Sequence, residues 1–375
     1  MFYSFYELQR LALGPLLGAL RMPPGAAGWQ RPFWAWGEVL ARSAEAGEAR
    51  PVPVEAAVAH DLGGPLEAAE VASTPFVRVV RMRRPGGPSR PILLAAPHSG
   101  YAAAVMSPLA IALLGAGEVW VTDWIDARLV PAGEGRFGLA EQTALLAGLA
   151  RELGGRAHLV GVSQSVVPLM AAAIEGGAAS LVLLGGPADP RPSPTPLQQA
   201  LALLPPGALE QQSVTTVPPR YPGAGRRVFP AVLQLMTYAT ATPATYLDVQ
   251  SGLLAELSGG KGNGYDRQHA DLHRLLDVPA ELFVETLEHA VRTPLPLPDG
   301  DGLRGVPVLT VEAGADGLVG PGQTHAAHAR LARLGARAMP TTTVPDAAHH
   351  ELFTGPRLGR EIGPLLRTFY AAADG

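Results

Sequence analysis

Ser163 lies in HLVGVSQSVVPLMAA, residues 158–172, where an apolar run meets a short polar turn and apolar residues then resume. A strand, a tight turn and a helix in that order set a hydroxyl proud of the sheet edge. The helix N-terminus lies beneath it and stabilises negative charge. That arrangement makes Ser163 a candidate nucleophile. The usual pattern has Gly both two residues before and two residues after the nucleophile. Here Gly161 holds the first position and Ser165 the second, so the local motif by itself leaves an ordinary strand-to-helix turn open.

Acyl transfer also needs a base, a group that orients it, and donors for the oxyanion. The apolar run 306–313 ends in Gly314-Ala315-Asp316-Gly317, and the run 341–345 leads into Asp346-Ala347-Ala348-His349-His350. The chain order Ser163, Asp316, His349 is that of an α/β-hydrolase and differs from the chymotrypsin and subtilisin orders. His350 rivals His349 as base, and the residues alone leave the two open. Asp346 rivals Asp316, but it lies too near His349 in sequence to occupy a separate strand end. Gln164 follows the nucleophile, so its backbone N–H is one expected oxyanion donor. The loop Pro97-His98-Ser99-Gly100-Tyr101 should supply the other, through Ser99 or else Gly100. His98 reads as loop-shaping, and Asp123 and Asp126 as fixing the loops around Trp124. Tyr101 and Trp124 are candidates to hold substrate, with a core role equally open for each.

Sheet-like runs recur at 76–82, 91–96, 118–122, 158–162, 180–184, 306–313 and 341–345, with helix-compatible runs such as 141–153 and 324–334 between them. Alternating strands and helices with continuous apolar strands predict a mostly parallel sheet covered on both faces. Between 184 and 306 the alternation breaks, starting Pro-rich and continuing with helical stretches at 265–276 and 280–292. The expected organisation is an N-terminal helical and irregular segment over 1–75, an α/β-hydrolase core over 76–190 and 300–375, and a mainly helical cap over 191–299. His269 and His273 share a helical face without the Glu that a zincin requires, and a surface helix accounts for them better. Gly259 to Gly264 lacks the spacing of a phosphate loop and reads as a flexible cap loop.

With 375 residues, 47% of them hydrophobic and 17% charged, the chain can bury a large core. A net charge of −4 gives no reason to expect nucleic acid or an anionic membrane as partner. No cysteine is present, which excludes disulfides, thiolate metal sites and a cysteine nucleophile. No run reaches the length of a membrane span, and the N-terminus lacks the features of a secretory signal. Residues 1–13 suit an amphipathic helix that either packs on its own domain or meets an apolar surface.

The blocks LLAAPHSGYAA, VTDWIDARLVPAGEGRFGL, HLVGVSQSVVPLMAA, LLGGPADPRPSPT, VEAGADGLVGPGQT and AAHHELFTGPRLGREI, with the opening MFYSFYELQRLALGPL, carry a further signal. Through them the sequence resembles the intracellular polyhydroxyalkanoate depolymerase family of α/β-hydrolases over nearly its whole length. The resemblance implies that Ser163 is the nucleophile, Asp316 the acid and His349, rather than His350, the base. It also implies a cytoplasmic enzyme, with granule association left open, that hydrolyses poly(3-hydroxybutyrate) or a related short-chain polyester with no cofactor and no metal. Many members of that family have Cys where this chain has Ser163. A synthase of the same superfamily would use Cys, so Ser163 favours hydrolysis. A broad esterase and a non-enzymatic granule-coat protein are the remaining readings, and the oligomeric state, monomer or homodimer, is left open.

Overall fold

The structure, a computed structural model, describes residues 12, 14–16, 18–21, 23, 28–44, 52–98, 102–205 and 207–373. The amphipathic segment 1–13 expected from sequence lies, but for residue 12, outside them. In chain order the strands are β1 (Glu67–Thr74), β2 (Val77–Arg83), β3 (Pro91–Ala95), β4 (Glu118–Trp124), β5 (His158–Val162) and β6 (Ser180–Leu184). They continue with β7 (Thr215–Thr216), β8 (Arg227–Phe229), β9 (Val278–Pro279), β10 (Pro307–Ala313), β11 (Arg337–Ala338) and β12 (Thr342–Val344). The main sheet runs β1-β2-β4-β3-β5-β6-β10-β11, with β12 also paired to β10. β1 and β2 are antiparallel to their neighbours, and every pairing from β4 and β3 onward is parallel. This is the α/β-hydrolase fold.

Residues of β3, β5, β6 and β10 are buried almost throughout, because helices cover both faces of the sheet. The two-residue period of a strand sends alternate side chains to opposite faces. Leu93, Ala95, Leu159, Leu181 and Leu183 pack with Leu146 and Ala150 of helix Leu139–Glu152 and with Leu169 and Met170 of helix Val166–Gly176. Ile92, Leu94, Val160, Val162 and Leu184 pack with Leu109 and Leu113 of helix Ser107–Leu114 and with Leu366 and Phe369 of helix Gly363–Ala373. Fully burying each such aliphatic side chain contributes about 1.5–3 kcal/mol, so the strand ends stand on a rigid base.

The stretch between β6 and β10 carries helices and a separate three-stranded sheet, β7-β8-β9. It meets the core at loops that follow parallel strands. Ala102 N–H donates to Arg274 O at 3.0 Å and Ala127 N–H to Asp277 O at 3.0 Å. Arg226 donates to the carbonyls of Val130, Pro131 and Gly135. Arg267 of helix Tyr265–His273 pairs with Asp61, which also accepts from Ser107.

Two local features differ from the sequence expectation. β1, in the segment read as helical and irregular, is an exposed edge strand. Its Glu- and Ala-rich sequence has little strand propensity, and its pairing with β2 defines it, reinforced by Arg78–Glu70 and Arg83–Glu67. His269 and His273, expected on a surface helix, are buried with their rings 4.0 Å apart, and His269 Nε2 lies 3.4 Å from Ser43 Oγ. Ser43 belongs to helix Arg31–Ala44. That helix turns Glu38 inward, where Arg42 donates to it, and leaves Phe33, Trp36 and Leu40 exposed beside Trp29.

His158 at the start of β5 is buried, with Nδ1 2.8 Å from Ser180 Oγ and its ring edge-on to Tyr370. Burial, aided by Arg90, lowers its pKa to about 4. A base with a depressed folded-state pKa contributes its full stability above the unfolded value of 6.5 and loses it as pH falls towards about 4. His158→Asn should therefore show a shallower decline in Tm than the parent across that window. Equal slopes in the two thermal titrations would contradict the assignment.

Candidate active site

β5 ends at Val162, and the turn Ser163–Ser165 leads directly into helix Val166–Gly176. Ser163 adopts φ 55°, a left-handed conformation that a residue with a Cβ seldom takes. Its neighbours hold it there. A Cβ on Gly161 would come 2.9 Å from Leu169 Cδ2 and 3.3 Å from Val166 Cα, so only glycine lets the helix fold back this closely. A Cβ on Gly186, just beyond β6, would collide with the Ser163 carbonyl oxygen and the Val166 side chain. Ser165, at the second glycine position of the usual pattern, is fully buried, and its hydroxyl accepts from Val162 N–H at 2.8 Å.

Asp316 follows β10, and the backbone ahead of it is tied to β12 and its loop by Gly314 N–H to Val344 O and Ala315 N–H to Ala347 O, both 2.8 Å. One carboxylate oxygen accepts from Leu318 N–H at 2.8 Å and Val319 N–H at 3.0 Å. The other lies 2.6 Å from His349 Nδ1. A carboxylate can only accept, so Nδ1 carries the proton and donates. Nε2 is then the acceptor, 2.9 Å from Ser163 Oγ. The Asp316 and His349 side chains are only 3% and 7% exposed, whereas Ser163 is less enclosed. Serine hydroxyl, imidazole and carboxylate thus form one hydrogen-bonded series from three strand ends. Such a series can take the hydroxyl proton as the oxygen attacks a carbonyl carbon.

The rivals sit elsewhere. His350 is half-buried next in sequence, and desolvation pushes its imidazole pKa down, while Asp316 bonds its neighbour. Asp346 occupies the turn after β12 at φ 53°. Of the expected oxyanion donors, Gln164 lies in the turn at the foot of helix Val166–Gly176. Ser99 falls outside the described residues, as do Gly100 and Tyr101.

Trp124 takes the core role of the two left open by sequence. It is 3% exposed, donates from Nε1 to Ala96 O at 2.8 Å, and stacks on His98 with ring centroids 4.4 Å apart. It buttresses the loop after β3 and presents no free face to a ligand. His98 shapes the same loop, and burial lowers its pKa to about 3. Asp123 pairs with Arg78, and Asp126 caps the turn after β4 by accepting from Arg128 N–H. Burial, with Asp277 close by, raises the pKa of Asp126 to about 8. The sequence marked Ser165 only as a departure from the motif and did not single out Gly186 or Thr122, whose hydroxyl accepts from Ala96 N–H at 3.0 Å. Only the second-position Ser carried a sequence signal.

Fold and strand-end chemistry together define an α/β-hydrolase. The family model described as PHB de-polymerase C-terminus matches residues 185–374, which include Asp316 and His349. The chain belongs to that family and is an ester hydrolase. Similar solved structures include a thermophilic esterase from Thermogutta terrifontis, 14% identical, TM-score 0.42, covering 83% of this chain and 99% of its own. A monoacylglycerol lipase from Paleococcus ferrophilus is 15% identical, TM-score 0.44, covering 83% and 100% respectively. The carboxylesterase CesB from Bacillus subtilis is 15% identical, TM-score 0.43, covering 84% and 96%. No curated protein sequence matches the chain.

Gly186→Ala tests the bracing of the turn. The added methyl must displace the Ser163 carbonyl, at a stability cost of about 1–3 kcal/mol. Misplacing the hydroxyl should lower kcat on a soluble ester by about 100-fold. Urea unfolding and steady-state kinetics read the two effects separately, and a parental kcat would show that Gly186 does not hold the turn.

Proposed function

We propose that this ester hydrolase cleaves poly(3-hydroxybutyrate) or a related short-chain polyhydroxyalkanoate through an acyl-enzyme on Ser163. The observation that carries the reading is the unbroken series Ser163 Oγ, His349 Nε2, His349 Nδ1, Asp316 Oδ2 in a chain of the PHB depolymerase family. Ser163 Oγ bonds to the ester carbonyl carbon while its proton passes to His349 Nε2. Asp316 holds the imidazole in the productive tautomer and stabilises the imidazolium that forms. Backbone N–H groups, that of Gln164 among them, receive the oxyanion. His349 returns the proton to the departing alkoxide of the next hydroxyacyl unit, and water repeats the sequence to release the acid. No step calls for a metal or a cofactor.

The supporting argument for Ser over Cys chemistry is the intermediate. An oxygen ester partitions to water, whereas transfer to a growing chain is served by a thioester. The polymer is insoluble and uncharged, so the enzyme has to work at a surface. Trp29, Phe33, Trp36 and Leu40 are 82%, 66%, 59% and 49% exposed, and Glu38 of the same helix is buried, with Arg42 donating to it. An aromatic face of this kind supports adsorption to a neutral polyester particle more than to an anionic one. No helix among the described residues is long and apolar enough to cross a membrane.

Ser163→Ala and His349→Ala should each abolish acid release from amorphous granules and from a short p-nitrophenyl ester. The residue of activity should be on the order of 10³–10⁴ over the uncatalysed rate. Asp316→Asn should lower kcat by about 10⁴-fold, and His350→Ala should stay active. An inactive His350→Ala beside an active His349→Ala would overturn the base assignment. Soluble-ester activity without acid release from granules would favour a broad esterase.

The triple variant Trp29→Ala, Phe33→Ala, Trp36→Ala should sediment less with granules while hydrolysing the soluble ester at the parental rate. Unchanged sedimentation would remove this face from the account.

A further inference from the structure

Ser165 departs from the glycine usual at its position, and its surroundings give the departure a purpose. A hydroxyl offers one proton and two lone pairs. Ser165 Oγ takes the N–H of Val162, the residue just before the nucleophile, at 2.8 Å. Its own proton has two acceptors in reach, Ala95 O at 2.7 Å and Val162 O at 2.8 Å. Ala95 is the last residue of β3 and stands opposite Gly161, where the β3–β5 ladder ends. The Ser165 hydroxyl extends that ladder by one rung, across the point where both strands turn into loops.

Those loops are the two that an ester carbonyl would sit between. One carries Ser163 and Gln164. The other leaves Ala95 towards Pro97 and His98. On its far side that second loop is already fastened to β4. Ala96 N–H donates to Thr122 Oγ1, Trp124 Nε1 donates to Ala96 O, and His98 stacks on Trp124. Ser165 fastens the near side to the nucleophile turn. We infer that Ser165 is a positioning residue: its hydroxyl sets the distance between the Ser163 turn and the loop after β3, and so the alignment of the oxyanion donors with the attacking oxygen. The inference rests on the reading of Ser163 as nucleophile. Without the hydroxyl, the Val162 N–H and the Ala95 carbonyl lose a buried partner. The cheapest repair is a small shift of one loop against the other. Such a shift leaves ground-state binding alone and weakens contacts made only to the tetrahedral state, which lowers kcat and spares KM.

The experiment compares the parent with Ser165→Ala, Ser165→Cys and Ser163→Ala on one soluble short-chain ester. Melting temperatures are recorded alongside, together with inhibition by a small alkyl boronic acid, which forms a tetrahedral anion on a serine oxygen. Ser165→Ala should lower kcat by about 10- to 100-fold with KM unchanged, and boronate affinity should fall by about the same factor as kcat/KM. A purely structural hydroxyl would lower the melting temperature and leave kcat and boronate affinity at the parental level. That outcome overturns the inference while an inactive Ser163→Ala keeps the nucleophile in place. Should Ser165→Ala fail to fold, Ser165→Cys, which keeps the volume and exchanges the hydroxyl for a weak donor and acceptor, is judged by the same criteria. An active Ser163→Ala would overturn both readings together.

Discussion

Everything at this site depends on one backbone conformation, the positive φ of Ser163. A non-glycine residue held there costs on the order of 1–3 kcal/mol, and the surrounding contacts must offset it. The candidates are specific. Helix Val166–Gly176 starts at once after the turn, Gly161 and Gly186 give it room to approach, and Ser165 takes the N–H of the residue before it. A buried hydrogen bond is worth about 0.5–1.5 kcal/mol net, so two or three of them balance the strain of one such residue. With the turn held, the Ser163 hydroxyl projects beyond the sheet edge, where the ends of β10 and β12 bring Asp316 and His349 to meet it.

Enclosure determines what those groups can do. Asp316 is nearly inaccessible, and a buried carboxylate needs its lone pairs satisfied. Two backbone N–H groups occupy one oxygen, and the imidazole occupies the other. The result is directional. The carboxylate has one free direction for a strong donor, and His349 Nδ1 fills it, which leaves Nε2 turned to Ser163. The low local polarity strengthens each of these bonds, and the less enclosed Ser163 is the end of the series that a substrate reaches.

The long segment before β10 meets the core at the same sheet edge. Arg226 gathers three carbonyls from the loop after β4, and its guanidinium lies 4.9 Å from the centre of the Phe76 ring. Asp126 lies close to Asp277, and burial with that neighbour pushes its carboxyl above the usual carboxylate range, while Arg128, 2.9 Å away, opposes the shift. The sequence block VTDWIDARLVPAGEGRFGL is thus explained by packing and hydrogen bonding: Trp124 braces one loop, Asp126 caps a turn, and the carbonyls of residues 130–135 hold Arg226.

Sequence alone determined what depends on local pattern. Continuous apolar runs marked β3, β5, β6 and β10 to within a residue or two, since strands buried on both faces have nowhere to place polar side chains. Gly161-Val162-Ser163 announced a sharp strand-to-helix turn, and the order of Ser163, Asp316 and the His349–His350 pair indicated the class of site. Tertiary structure decided whatever depends on which of two possible partners lies nearby. It brought the carboxylate to His349 rather than its neighbour, buried Trp124 as a buttress, and buried His269 and His273, the former against Ser43 more than 200 residues earlier in the chain. It also gave β1, weak in intrinsic propensity, a partner strand. The role of Ser165 belongs here too. Its hydroxyl looks like a lapse in a motif until the carbonyl of Ala95, 70 residues away in sequence, comes within 2.7 Å. Periodicity is written along the chain, whereas a hydrogen bond between distant residues exists only once folding has brought its two ends together.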